Sequence, residues 1–295
     1  VTETLTDSGH HLVVGVSVSE PAADELVELG LSDLHVRHAF IEIVRHVLAL
    51  DGSIAYGGDL RAAGYTESLF DLVRAYNPRD LAGPERVTAY LAWPIGLALT
   101  PAQRADLANV ATLEEVPPPD GAPSTLPPIP ERNADELLWN SLSLTKMRQH
   151  MTAALAARVV LGGRVSGQQG LLPGVIEEAA LAIGAEKPLY VAGGFGGCGR
   201  VLVAALKGAT PEELTIEYQL DHTPRYRELH DQAVSAGVAP SFDALGQLLH
   251  NAGIEGLNNG LSQAENERLF DTDDVDEVVA LLLRGLRQVA SIRSP

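Results

Sequence analysis

The chain has 295 residues, 45% of them hydrophobic and 20% charged, with 21 Lys and Arg against 39 Asp and Glu and a net charge of −18. That length holds one large α/β domain or two small ones, and the composition excludes an intrinsically disordered chain. So acidic a field repels polyanions, whose phosphates need clustered cations, and nucleic acid and anionic membranes are therefore expected not to be partners.

Residues 11–19 (HLVVGVSVS) form a β-branched run that predicts a strand ending in small hydroxyl residues, with Glu20 and Pro21 placed to open a turn or helix. Residues 34–50 carry apolar side chains on a broad helical face that Asp51 and Gly52 stop, and residues 53–56 then read as a second strand running into Gly57 and Gly58. A helix over residues 67–76 and a strand over 87–93, closed by Pro94, continue the alternation. Alternation of strand and helix predicts a parallel sheet, because parallel strands need crossovers.

Residues 116–130 (VPPPDGAPSTLPPIP) hold seven prolines, which lack a donor and fix φ, so the segment belongs to neither a helix nor a central strand. A long excursion within one sheet is preferred to a linker, because the pattern resumes beyond it. A helix is expected over 134–156, a strand over 158–161, a helix over 174–183, a strand over 188–192 and a short helix over 200–206. The tail reads as helical and ends in residues 275–289, where Leu281, Leu282, Leu283 and Leu286 make the last helix apolar nearly all round. Such a helix is either docked deeply or part of an oligomer contact. The expected class is α/β: a Rossmann-like three-layer domain with a mainly parallel sheet over 1–210, and a C-terminal helical extension packed on it over 211–295.

Cys198 is the one cysteine, so no disulfide forms within the chain, and the chain start lacks the charged flank and apolar core of a signal peptide. No run approaches the ~20 apolar residues of a membrane span. A cytoplasmic protein is expected.

Three loops share one grammar of strand, glycines, then helix. The first is Gly57-Gly58-Asp59-Leu60-Arg61, the second Gly162-Gly163-Arg164 continued by Pro173-Gly174, and the third Gly193-Gly194-Phe195-Gly196-Gly197. In a parallel sheet such exits share the carboxyl edge where open α/β sheets bind ligands. Glycine lets bare amides approach an anion. One pair alone makes only a tight turn, whereas three at equivalent strand ends predict a shared site. Asp59 suits a ribose hydroxyl, Arg61 and Arg164 suit phosphate, and Ser17 and Ser19 offer hydroxyls at the end of the first strand. Glu177 and Glu178 stand in the first turn of a helix opened by Pro173 and Gly174, where the dipole stabilises carboxylates and where one of them can face a ligand.

Residues 194–199 also fit G-x-G-x-x-G, with Glu217 near the spacing of a ribose-binding acid, which keeps a nicotinamide-dependent dehydrogenase as a lesser alternative. The nine histidines are scattered without carboxylate or cysteine partners at motif spacing, so no metal site is expected. Residues 15–19 (GVSVS) depart from a nucleophile elbow, since Ser19 stands where the final glycine belongs.

In four blocks, LVVGVSVSE through Glu20, DGSIAYGGDLRAAGYT, RVVLGGRVSGQQGLLPGVIEEA and KPLYVAGGFGGCG, the sequence resembles the SLOG superfamily, which unites Lonely Guy phosphoribohydrolases, the DNA-processing Smf proteins and nucleotide-sensing domains. The resemblance implies a Rossmann-like sheet with a nucleotide or NAD-derived, ADP-ribose-like ligand over the glycine loops, and no required cofactor. It further implies a sensor of bacterial antiviral conflict systems, acting through self-assembly into a homo-oligomer or through a separate effector protein. The alternative it implies is a phosphoribohydrolase cleaving a nucleotide's N-glycosidic bond, with Arg164 and Glu177 or Glu178 as catalytic residues. Pro173-Gly174 matches the start of the enzymes' P-G-G-x-G-T-x-x-E motif, but the second glycine, the Gly-Thr pair and the glutamate spacing differ.

Overall fold

A computed structural model describes residues 12–58, 64–76 and 86–293. The chain opens with strand β1 (Val13–Ser19), the short helix α1 (Ala23–Glu28), and α2 (Asp33–Ala49), whose start is fixed by a capping box between Ser32 and His35. Then follow β2 (Ser53–Tyr56), α3 (Tyr65–Tyr76) and β3 (Val87–Leu91). Pro94 does not close β3 but sits in the first turn of α4 (Trp93–Ala98), where a proline's missing N–H costs nothing. Thr100 and Gln103 box the start of α5 (Pro101–Ala108), which leads to β4 (Thr112–Glu115). No apolar pattern announced β4, because this edge strand reads TLEE and only Leu113 packs against the core.

The proline-rich stretch returns the chain along α6 (Ala134–Ala154), which Asn133 and Glu136 cap. Lys146 Nζ donates to the Pro118 carbonyl at 2.9 Å and Arg132 Nε to that of Pro127 at 2.8 Å. Next come β5 (Ala157–Gly162), α7 (Gly174–Gly184), β6 (Leu189–Ala192) and α8 (Gly197–Leu206). The remainder is helical: α9 (Ile216–His222), α10 (Tyr226–Ser235), α11 (Phe242–Ala252), α12 (Gln263–Asp271) and α13 (Val275–Arg293).

All six strands are parallel in the order β4-β3-β2-β1-β5-β6, with Gly15 beside Ala55 and Ser17 beside Val160. Alternation sorts the side chains into two layers. Val14, Val16, Val18, Ile54, Tyr56, Val159 and Leu161 pack with α2, α3 and α13, while Val160, Leu189 and Val191 pack with α7, α8 and α11. Leu155, Met147 and Met151 of the α6 region cover Ala55 and Tyr90. The architecture is thus an α/β three-layer, Rossmann-like fold.

In α13, Leu281, Leu282 and Leu286 are buried in the same core as α2, so the apolar girth of this helix is explained by docking and gives no ground for an oligomer contact. No helix among the described residues is long and apolar enough to cross a membrane.

Candidate functional site

From β1 the chain builds outward on one side through β2 to β4, then crosses back to add β5 and β6 on the other. Connections diverge at such a switch point and leave a crevice at the carboxyl ends of the strands. A cavity of about 370 Å³ opens there, within the ~300–1,000 Å³ of small-molecule sites. Its walls are the β1 exit (Ser17, Ser19, Glu20), the β2 exit (Gly57, Gly58), Tyr65, Arg148 on α6, Arg164 and Gln168 in the β5–α7 loop, and Gly174, Val175 and Glu178 at the start of α7.

The floor is a buried ionic network. Ser17 and Arg158 occupy alternate positions on the strand face toward α6 and α7, so both meet Glu178. Arg158, wholly buried, donates through Nη1 to Glu178 Oε2 at 2.6 Å and to Ser17 Oγ at 2.7 Å, and through Nη2 to Thr152 Oγ1 at 2.9 Å. The Ser17 hydroxyl donates to the same Glu178 oxygen. Desolvation pulls the Arg158 pKa down, and the adjacent Glu178 carboxylate opposes that pull. The preceding residue, Glu177, accepts from Thr145 Oγ1 at 2.5 Å and from Arg148 Nη1.

Arg148 faces the cavity from above α7, with its Nε 3.6 Å from Glu178 Oε1. A Cβ on Gly174 would lie 2.5 Å from Arg148 Nη2, so a side chain there would push the guanidinium off the first turn of the helix. Pro173 precedes that turn and supplies no side-chain cap. The uncapped N-terminus of α7 carries positive potential at the cavity wall, and beside it stands a guanidinium that Glu177 and Glu178 already pair. Arg164 stands exposed at the rim with no ion-pair partner among the described residues, while its amide donates to Ser19 Oγ at 2.9 Å.

The loop that carries Arg164 has no regular structure and is tied down by α9 and α10. Gln168 Nε2 donates to Gln219 Oε1 at 2.7 Å, Gln219 Nε2 to the Val165 carbonyl at 3.0 Å, and the Gly167 amide to Thr223 Oγ1 at 2.9 Å. The Tyr226 hydroxyl donates to the Leu171 carbonyl at 2.6 Å. These contacts make the C-terminal helices a support of the cavity wall.

Of the residues expected at the site, Ser17, Ser19, Glu20, Gly57, Gly58, Arg164, Gly174 and Glu178 line the cavity. Asp59 and Arg61 lie outside the described residues. Glu177 points into the Arg148 and Thr145 contacts and is not a wall residue. Gly162 and Gly163 turn the chain beneath the wall: Gly163 has φ +110°, and a Cβ there would meet Cys198 Cβ at 2.7 Å. Burial pushes the Cys198 thiol well above its ordinary range, and it donates to the Arg164 carbonyl at 3.1 Å.

The third glycine loop must be corrected. Gly193, Gly194, Phe195, Gly196 and Gly197 do not reach the cavity. Cβ atoms on Gly193 and Gly194 would fall 2.5 Å from the Phe270 carbonyl oxygen and 2.2 Å from that of Thr272, and Phe195 is fully buried. The N-terminus of α8 already holds an anion from the protein itself, since Glu25 Oε1 accepts from the Gly197 amide at 2.9 Å and pairs with Arg200 at 2.9 Å. A dinucleotide pyrophosphate has no seat there while Glu25 stays, which removes the structural basis for the dehydrogenase alternative.

Arg148, Arg158 and Tyr65 were missed. A lone arginine in the otherwise apolar strand β5 was a legible signal, as were Asn140, Ser141, Ser143 and Thr152, polar residues buried along α6. Among the described residues no group of three or more His, Cys, Asp or Glu gathers to hold a metal ion.

A family model described as SLOG cluster2 matches residues 9–269. No curated protein matches the chain. Among solved structures, DNA processing protein A from Helicobacter pylori, which has a single-stranded DNA binding mode, is similar at TM-score 0.36 and 12% identity, with 84% of each chain covered. So slight a likeness does not argue for what this chain binds. The expectation that ruled nucleic acid out as a partner is corrected on its own ground: a total charge of −18 sums over the whole surface and does not decide what a cavity wall carrying Arg148 and Arg164 admits.

Proposed function

The chain belongs to the SLOG cluster2 family, a nucleotide-related Rossmannoid group, and from that premise we propose that its crevice binds a nucleotide derivative of the NAD or ADP-ribose kind and that the protein is a ligand sensor. The observation that carries this reading is the convergence of Arg148 and the uncapped first turn of α7 on one wall of the cavity, with Arg164 free at the rim. Phosphate matches that wall in charge and in geometry, because a guanidinium fork and helix amides both present N–H groups to oxygen. The carboxylate of Glu20 on the β1 side and that of Glu178 in the floor suit sugar hydroxyls, which donate. A bacterial antiviral role, which the resemblance to sensor members of the superfamily implies, is part of the same proposal.

Calorimetric titration with AMP, NAD and ADP-ribose, at protein concentrations near about 100 µM so that micromolar affinities register, tests the reading. Heat of binding from at least one is expected, and silence from all three contradicts it. Each mixture is then incubated and chromatographed. Intact nucleotide is expected. Free base that disappears in Glu178→Gln would replace the sensor by a phosphoribohydrolase, the role open to Glu178 as the one carboxylate of its pair that reaches the cavity.

A further inference from the structure

We propose that Tyr65 reads the sugar of the bound nucleotide derivative, its phenol hydroxyl donating to a ribose hydroxyl that in turn donates to Glu20. The proposal rests on the nucleotide reading of the cavity and assigns the end of it away from Arg148.

Tyr65 opens α3 and lines the cavity beside Gly57 and Gly58, on the β2 side of the switch point, whereas Gly174 and Arg164 stand on the β5 side. The residue is only 6% exposed, yet its hydroxyl is buried with no hydrogen-bond partner among the described residues. Folded proteins rarely leave such a group unpaired, and a residue that lines a cavity with an orphan donor is placed to meet an acceptor from a ligand. The ring cannot turn away to find one. Phe40 packs edge-on against it at 5.3 Å, and the Arg37 guanidinium lies 5.3 Å from its centroid while donating to Ser68 Oγ at 2.7 Å.

Glu20 settles what kind of acceptor fits. Burial, and after it the Glu20 charge, push the Tyr65 phenol far above its ordinary range, so the hydroxyl keeps its proton and donates. That carboxylate, 3.7 Å from Arg37 Nη2, can only accept, so a ligand group that meets both it and the phenol must accept and donate. A sugar hydroxyl meets both demands at once, because it accepts from the phenol and donates to the carboxylate. The phosphate then lies toward Arg148 and the start of α7.

Wild type and Tyr65→Phe are titrated with AMP, 2′-deoxy-AMP, 3′-deoxy-AMP and ADP-ribose, and both unliganded proteins are melted. The phenylalanine variant is expected to melt no lower than wild type, since the lost hydroxyl had no partner, and to bind AMP and ADP-ribose roughly tenfold more weakly. One deoxy-AMP is expected to bind wild type more weakly than AMP and to show no such deficit in Tyr65→Phe. Equal affinity of the two proteins for AMP and ADP-ribose overturns the role of Tyr65 and leaves nucleotide binding standing. Full sensitivity to both deoxy sugars in the variant overturns the sugar contact, and a lower melting temperature overturns the orphan hydroxyl. If wild type binds none of the four, the nucleotide reading fails and the sugar contact falls with it.

Discussion

Two glycine-rich strand exits, after β2 and after β6, look alike in sequence and do opposite work. Gly57 and Gly58 border an open cavity, while Gly193 and Gly194 lie under the α12–α13 connection and Glu25 sits on the helix that follows. The difference teaches that a glycine loop marks close approach of the backbone without saying to what. At the β6 exit the approaching group is the protein's own carbonyls and carboxylate. At the switch point the crevice is left open, with Arg148, Arg164 and the start of α7 on its walls.

The largest effect separates the floor of the open site from its wall. Arg158→Met leaves the Glu178 carboxylate buried beside an apolar chain, and urea unfolding is expected to show a loss of ~3–5 kcal/mol. The double variant Arg158→Met/Glu178→Leu is expected to recover most of it. Unchanged stability in the single variant would mean that the network is solvated and the floor is not closed.

The glycines themselves come next. Gly194→Ala drives a methyl toward the Thr272 carbonyl oxygen and is expected to cost ~1–3 kcal/mol, with the intrinsic nucleotide affinity of the folded fraction unchanged. A comparable loss of affinity at full stability would put the β6 exit back into the binding site.

Arg148→Met then sharpens the claim about the wall. Removing a charge-assisted contact is expected to weaken nucleotide binding by about 30-fold, equivalent to ~2 kcal/mol. Arg148→Lys is expected to recover part of it, as a point charge without the fork.

Much of the fold was legible because its strands are short β-branched runs and its helices carry caps: β2 falls over the expected residues, and α7 and α13 begin where expected. What escaped has physical reasons. β4 carries a single apolar residue, Leu113, and α4 begins at a tryptophan and proline that read as the end of a strand. At the site, glycines and hydroxyls at the β1 and β2 exits were readable from strand grammar. Arg148 was not, since nothing local distinguishes an arginine that crosses from α6 to the start of α7. Tyr65 read as part of a glycine-containing block, because an unpaired hydroxyl exists only in three dimensions. The expected ligand role of Ser17 changed for the same reason: its hydroxyl is engaged by Arg158 and Glu178, 141 and 161 residues away.

The smallest effect belongs to the closed loop. Glu25→Gln removes the charge at the start of α8 and is expected to lower stability by ~0.3–1 kcal/mol without changing nucleotide affinity. Tighter nucleotide binding in this variant would mean that Glu25 competes with the ligand and that the two exits form one site.

The most direct test of the contrast between the exits is a crystal structure with AMP bound. The phosphate is predicted within hydrogen-bonding distance of Arg148 and the amides of Gly174 and Val175, with Glu25 still on the Gly197 amide. A phosphate on the Gly197 amide with Glu25 displaced, and the crevice between β1 and β5 empty, would contradict the account.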